Sequence, residues 1–248
     1  ALWTLASTDF LRKGLFSPSL GWAGLALSFA GTLLIIGAAL FGLGRPVFIN
    51  YIPVLETPVF YAGLLMLALG MLATLANSLL TMLKAAAWEG GAFHRLVRFG
   101  LAVSGASVLA AIACFGLSFL SYAGTGGSSG IDLEALFWGG GHVLQFANTA
   151  AMASAWLYLA WNVFKAAPIR PSYGLPAFAL FGAFAAFAPF IYIFYGIDSA
   201  GYRPAFTRLM QWGLGPSTGV FAIAVVSAIR VNAGRGLPWK NPEFSSLI

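Results

Sequence analysis

Six long apolar runs, separated by short segments that hold nearly all the charge, leave this chain very few possible folds. Residues 20–43, 59–83, 99–122, 132–161, 175–195 and 206–229 each reach the length of about 20 residues that a helix needs to cross a hydrocarbon core. In that medium the backbone must satisfy its own hydrogen bonds, so only helices and closed barrels span it. These runs are too continuous and too rich in Ala, Leu and Gly for the alternating strands of a barrel. The expected fold class is all-α: an integral membrane bundle of six transmembrane helices, forming a single domain over residues 1–248. Composition agrees, since charged residues are 8% of the chain and a soluble domain carries roughly a quarter.

The charges between the runs set a topology. With six spans both termini share a side, which collects Arg12, Lys13, Lys84, Arg95, Arg98, Lys165, Arg170, Arg230, Arg235 and Lys240. The other side collects Arg45, Arg203 and Arg208. The positive-inside rule then places both termini in the cytoplasm of a bacterial-type inner membrane. The chain opens on Ala1, in keeping with a processed or incomplete N-terminus, and Arg12-Lys13 precede a run too long for a signal peptide. Gly44–Pro58, with three prolines, should be a fixed and partly interfacial excursion, and residues 124–130 a flexible turn.

Residues 132–161 (DLEALFWGGGHVLQFANTAAMASAWLYLAW) are the segment on which chemistry would centre. A histidine within a membrane span is costly unless it has a partner or a task. His142, Gln145, Thr149 and Met152 follow helical spacing and form one polar stripe, expected to face inward, with Phe137, Leu144 and Ala151 opposite. Two readings of His142 stand side by side. It is an interhelical hydrogen-bonding residue in a tight bundle, or it ligates haem or copper, with Gly139-Gly140-Gly141 admitting a flat macrocycle or a neighbouring helix. The other histidine, His94, lies beside Arg95 and Arg98 and reads as an interfacial residue at a height that differs from that of His142 by over roughly 10 Å. The two therefore do not form an axial pair.

Other features are plainer. Asn77, Ser78 and Thr81 suit hydrogen bonds between helices, Met152 and Met210 suit packing, and Gly21, Gly24 and Gly31 suit close helix contact. The acids Glu56, Asp132, Glu134 and Asp198 sit near the ends of spans, which disfavours a proton-coupled or cation-coupled transporter. The single cysteine, Cys114, excludes a disulfide framework, and no zinc spacing, phosphate loop or Ser-His-Asp arrangement can be assembled.

The stretch Phe137–Phe146 (FWGGGHVLQF) resembles subunit I of the haem-copper oxidase superfamily, closest to short relatives of the cbb3-type cytochrome c oxidase and of nitric oxide reductases. Residues 50–55 (NYIPVL) and Phe206–Gly215 (FTRLMQWGLG) also look like pieces of such proteins. The resemblance implies a helix that presents His142 to a metal beside a haem, a respiratory-type electron-transfer role, and Arg45, Arg203 and Arg208 as partners for haem propionates. It also implies partner membrane subunits, lipid contacts and a cytochrome on the outer face. Six histidines hold the metals of that superfamily, and this chain has two. Its fifth span ends Tyr192-Ile193-Phe194-Tyr195 without a His-His pair, and Phe146 stands where some oxidases have Tyr. The expected protein is thus a degenerate relative, or part of a longer or split subunit. It would not be a complete catalyst alone, and would hold one haem through His142, with Gln145 nearby, and no copper. The alternative is a cofactor-free structural or assembly subunit.

Overall fold

A computed structural model of the chain describes residues 14–48, 54–84, 91–124, 132–234 and 236–248. Its backbone falls into two compact units, Ala1–Glu89 and Gly90–Ile248, where the sequence reads as one domain. Arg12, Lys13, Arg235, the turn at 125–130 and the likeness at 50–53 lie outside the described residues.

In the first unit, α1 (Pro18–Leu40) and α2 (Pro58–Lys84) pack as an antiparallel pair. Small residues recur every seven positions on the contact face of α1: Ser17, Gly24, Gly31 and Ala38. On α2 the facing residues are Asn77, Gly70, Gly63 and Phe60, the first three again seven apart. A seven-residue repeat keeps one seam facing its partner along a pair of helices, and small residues there let backbones touch. A Cβ on Gly24 would lie 3.1 Å from the Gly70 carbonyl oxygen, and one on Gly31 would lie 2.6 Å from that of Gly63. Ala38 closes the seam against Phe60 and Val54.

The start of α1 is tied down by α2. Ser17 caps its own helix, accepting from the Leu20 N–H at 3.2 Å. Asn77 then serves both backbone groups of Ser17: its Oδ1 accepts from the Ser17 N–H (3.0 Å) and its Nδ2 donates to the Ser17 carbonyl (2.9 Å). Thr81 Oγ1 accepts from the Phe16 N–H at 2.9 Å. Ser78 is buried, and its hydroxyl makes no hydrogen bond among the described residues. Replacing Asn77 with Ala removes the partner of the Ser17 N–H, while the Ser17 carbonyl keeps its bond from the Gly21 N–H, so stability should fall by about 1–3 kcal/mol. Denaturation with sodium dodecyl sulfate reads this directly, with Ser78→Ala as the near-silent comparison.

The excursion after α1 contains two short antiparallel strands, β1 (Arg45–Val47) and β2 (Val54–Glu56), with Arg45 opposite Glu56. These strands depart from the all-helical expectation, and the chain around them is too short and proline-rich for a helix. Gly44 opens the hairpin at φ +80, where an added Cβ would lie 2.8 Å from the Glu56 carbonyl oxygen.

The second unit holds α3 (Ala92–Gly124), α4 (Leu133–Phe164), α5 (Pro171–Phe187), α6 (Ile191–Phe194), α7 (Tyr202–Ala233) and α8 (Pro242–Ser245). A short 3-10 turn at Ala188–Phe190 links α5 to α6, because Pro189 cannot donate the helical hydrogen bond. α3 packs on α4 and α5, while α7 packs on α4 and α5. Four fully buried phenylalanines, Phe146, Phe178, Phe181 and Phe221, fill the space between α4, α5 and α7. Ser104 of α3 donates to the Ala147 carbonyl of α4 at 2.7 Å. The C-terminal segment folds back on this unit. Phe244 is buried against Phe164, and Leu247 packs with Ala160 and Val225.

The protein is helical and multi-pass. Five of its described helical segments are long and apolar enough to cross a membrane: α1, α2, α3, Pro171–Phe194 and α7. The run expected as a sixth span is α4, which at 32 residues is long enough. It does not join the five, because His142, Gln145, Asn148, Thr149 and Ser154 dilute its apolar residues. α3 and α7 begin several residues before the apolar runs that announce them. α3 starts at Ala92 and already buries Phe93, Leu96, Val97 and Arg98. Arg98 therefore does not sit at an exposed surface as the charge pattern suggests.

Candidate functional site

The first two turns of α4 set the site. Asp132 caps the helix, its Oδ1 accepting from the Ala135 N–H at 3.0 Å. Asp132 and Glu134 together favour the positive end of the helix. Both also bind Arg203 from the start of α7, at 3.3 Å and 3.6 Å. The Arg203 guanidinium lies over the Trp138 ring, 5.2 Å from its centre. Trp138 is thereby pinned one turn before His142.

His142 is buried. Its Nδ1 lies 2.8 Å from the Trp138 carbonyl oxygen. A carbonyl oxygen can only accept, so Nδ1 carries the proton and a neutral ring keeps its lone pair on Nε2. The ring packs at 4.6 Å from Trp138 and 6.1 Å from Phe206, centre to centre. This is how metal-binding histidines are oriented: one nitrogen donates to a backbone carbonyl while the other offers its lone pair.

The space over Gly139 and Gly140 is filled from neighbouring helices. A Cβ on Gly139 would collide with the hydroxyls of Tyr192 and Tyr202 and with Phe206, and one on Gly140 with the Phe115 ring. Of the two uses expected for these glycines, close approach of neighbouring side chains is the one seen at Gly139 and Gly140. The Tyr202 hydroxyl donates to the Ala135 carbonyl (3.2 Å) and accepts from the Gly139 N–H (3.1 Å), so it sits against one turn of the α4 ladder. Tyr192 and Ser118 complete a cluster of hydroxyls, 2.7 Å from each other and 3.1 Å and 3.2 Å from Tyr202. Sequence reasoning missed this cluster. Its one local sign was a pair of tyrosines at facing ends of consecutive spans, where a polar tip on an apolar ring is useful. Tyr202→Phe removes the hydroxyl that both backbone groups use. Amide hydrogen exchange at Gly139 should then speed up several-fold while the rest of α4 is unchanged.

The polar stripe faces inward at His142 and not along its whole length. Gln145 and Thr149 are half-buried, and Met152 is 39% exposed. The buried face runs through Gly139, His142, Phe146, Ala150, Ala153, Leu157 and Ala160. At 100° per residue, Gln145 and Met152 lie about 60° and 80° to one side of His142, while Phe146 and Leu157 lie about 40° and 60° to the other. Packing of the small and apolar residues decides the rotation, and His142 sits at its margin. Asn148, further round on the same side as Gln145, is exposed near the middle of α4.

The remaining candidates are dispersed. Arg45 is exposed in the first unit, at the start of β1. Arg203 is already neutralised by two carboxylates, and Arg208 is exposed on α7 five residues later. His94 packs edge-on against Trp161, ring centres 5.6 Å apart. Trp161 lies nineteen residues beyond His142 on α4, about 28 Å along the axis. That separation rules out a shared axial pair. Among the described residues no group of three or more His, Cys, Asp or Glu is placed to hold a metal ion.

Neither a family model nor a solved structure matches the chain. A protein of Aquifex aeolicus (strain VF5), described as an uncharacterized protein, is 30% identical over 157 residues. The match covers 60% of this chain and 37% of that relative. The chain thus spans well under half the length of the protein that it matches.

Proposed function

We propose that the chain is a membrane subunit of a respiratory-type electron-transfer complex, built like part of a haem-copper oxidase subunit I, with one haem held through His142. The observation that carries this reading is the His142 ring: buried, braced by Trp138 and Phe206, with Nδ1 bonded to the Trp138 carbonyl. The donor chemistry fits, and His142 Nε2 would supply a bond to the haem iron. When bound, a haem supplies one-electron exchange at its iron. The Trp138 carbonyl fixes the ring plane and raises the basicity of Nε2. The Arg203–Asp132–Glu134 group holds Trp138 in place. Arg45, Arg203 and Arg208 remain the candidate propionate partners, with Gln145 beside the ligand. Copper, which needs several histidines, is no part of the reading.

In this reading α4 is the sixth span. Its polar residues are tolerated because α3 and α7 cover much of it. Both termini are then cytoplasmic in an inner membrane. Among the described residues of the second unit, one bundle end has Arg95, Arg98, Lys165, Arg170, Arg230 and Lys240 against Glu243. The other has Arg203 and Arg208 against Asp132, Glu134 and Asp198. That asymmetry supports the orientation.

A cofactor-free structural or assembly subunit is the second reading. It is favoured by side chains filling the space over Gly139 and Gly140. The exposed amide of Asn148 supports partner subunits in either case, since an amide facing hydrocarbon needs a partner. Absorption spectra of the purified complex, oxidised and dithionite-reduced, separate the two readings. A haem band in the wild type that His142→Ala abolishes, with assembly intact, supports the first. No band, or one unchanged by the substitution, leaves the second.

A further inference from the structure

The basic end of the second unit carries a feature that electron transfer does not use. Between the end of α4 and the last turns of α7 lies a mainly apolar groove of about 210 Å³, whose walls include Phe164, Pro168, Ala228 and Val231, with Ser227 and Asn232 as its polar residues. Lys165 stands between two of its wall residues and ends α4 in the left-handed region, at φ 53 and ψ 25. It is the one non-glycine residue with positive φ among the described residues. Glycine or asparagine takes this cap with less strain. A lysine here bears a conformational cost and keeps a charge beside the groove. Five residues on, Arg170 sits immediately before Pro171 at the start of α5 and makes no side-chain cap there. Both cations are exposed, and neither belongs to the ion pairs of the described residues. Glu243, the one described acid at this end, accepts from Asn162 at 3.3 Å.

We propose that this groove seats an acyl chain of an anionic phospholipid, with the phosphate between Lys165 and Arg170. An acyl chain gains no hydrophobic energy by leaving other lipids, so the groove contributes shape and contact, and the charges discriminate. Two cations and the positive start of α5 attract a net negative headgroup. A zwitterionic headgroup brings its own cation against them. Each basic residue near a membrane surface favours an anionic lipid by roughly fivefold.

The test uses the full chain in neutral detergent, with native mass spectrometry and thermal unfolding in added phosphatidylglycerol, phosphatidylcholine or inorganic phosphate. Phosphatidylglycerol should bind and raise the Tm, and the other two should not. Lys165→Gln with Arg170→Gln should cut the preference for phosphatidylglycerol by roughly 25-fold. Ala228→Phe, which fills the groove without changing charge, should weaken binding as well. Lys165→Gly separates recognition from folding: without lipid its Tm should match or exceed wild type, yet its shift with phosphatidylglycerol should shrink. Equal binding of the two lipids, an equal shift with inorganic phosphate, or a full shift retained in Lys165→Gly or Ala228→Phe would overturn the proposal.

Discussion

Replacing Gly31 with valine should force α1 and α2 apart and cost the first unit about 3 kcal/mol. The obstacle is backbone: a Cβ at this position lies 2.6 Å from both the Gly63 carbonyl oxygen and the Leu67 N–H nitrogen, and 3.1 Å from the Leu67 Cα. No rotamer change relieves that contact, so the helices must move. Their separation also loosens the Gly24–Gly70 approach and the Ser17–Asn77 hydrogen bonds at the far end of the seam. In lipid no hydrophobic force restores the pair, because its stability comes from close packing and hydrogen bonds. Gly31→Ala should show a smaller loss in sodium dodecyl sulfate titrations, and Gly37→Val, whose Cβ would enter open space, almost none. Equal behaviour of Gly31→Val and Gly37→Val would mean that the seam is misplaced.

The second unit has its own equivalent in Gly100, where valine should cost about 3 kcal/mol or more. An added Cβ meets Ser154 Oγ and the Phe178 ring. Neither can yield easily. Ser154 is fully buried and donates to the Ala150 carbonyl at 2.8 Å, and the Phe178 ring packs at a tilt 4.3 Å from Phe221 within the aromatic cluster. A displaced Phe178 therefore disturbs α5 and α7 as well as the α3–α4 contact. Intrinsic fluorescence and thermal unfolding should report loss of cooperative folding in Gly100→Val. Gly116→Val, on the same helix but facing open space, should unfold like wild type.

Membrane character was readable because apolar length and charge placement are properties of the chain itself. Helices α1 and α2 lie within three residues of the runs that predict them. The ends of α3 and α7 were not readable, since those helices continue past the apolar run wherever tertiary packing covers residues such as Phe93 and Tyr202. Gly24 and Gly31 stood out as contact residues, but their partners Gly70 and Gly63 appear only once the seven-residue spacing on both helices is compared. At the site, the residue types showed that His142 needed a partner. They gave no sign that the partner was its own helix, through the Trp138 carbonyl. The stripe from His142 to Met152 was read from periodicity alone, which gives the angles between side chains and leaves the rotation of the helix to packing. The hydroxyl cluster of Ser118, Tyr192 and Tyr202 is assembled from three helices, and no local pattern encodes it.

The most direct measurement is the protonation pattern of the His142 ring, by nitrogen-15 NMR of histidine-labelled protein in a His94→Gln background, prepared without haem. With a single histidine left, the two ring signals assign themselves. Protonated Nδ1 and unprotonated Nε2 is the expected result, and it should persist in Arg203→Ala, which frees the Trp138 ring and leaves its backbone carbonyl in the helix. A proton fixed on Nε2 would contradict the account, because the lone pair would then lie on Nδ1, against the Trp138 carbonyl oxygen, and not on the nitrogen assigned to a metal.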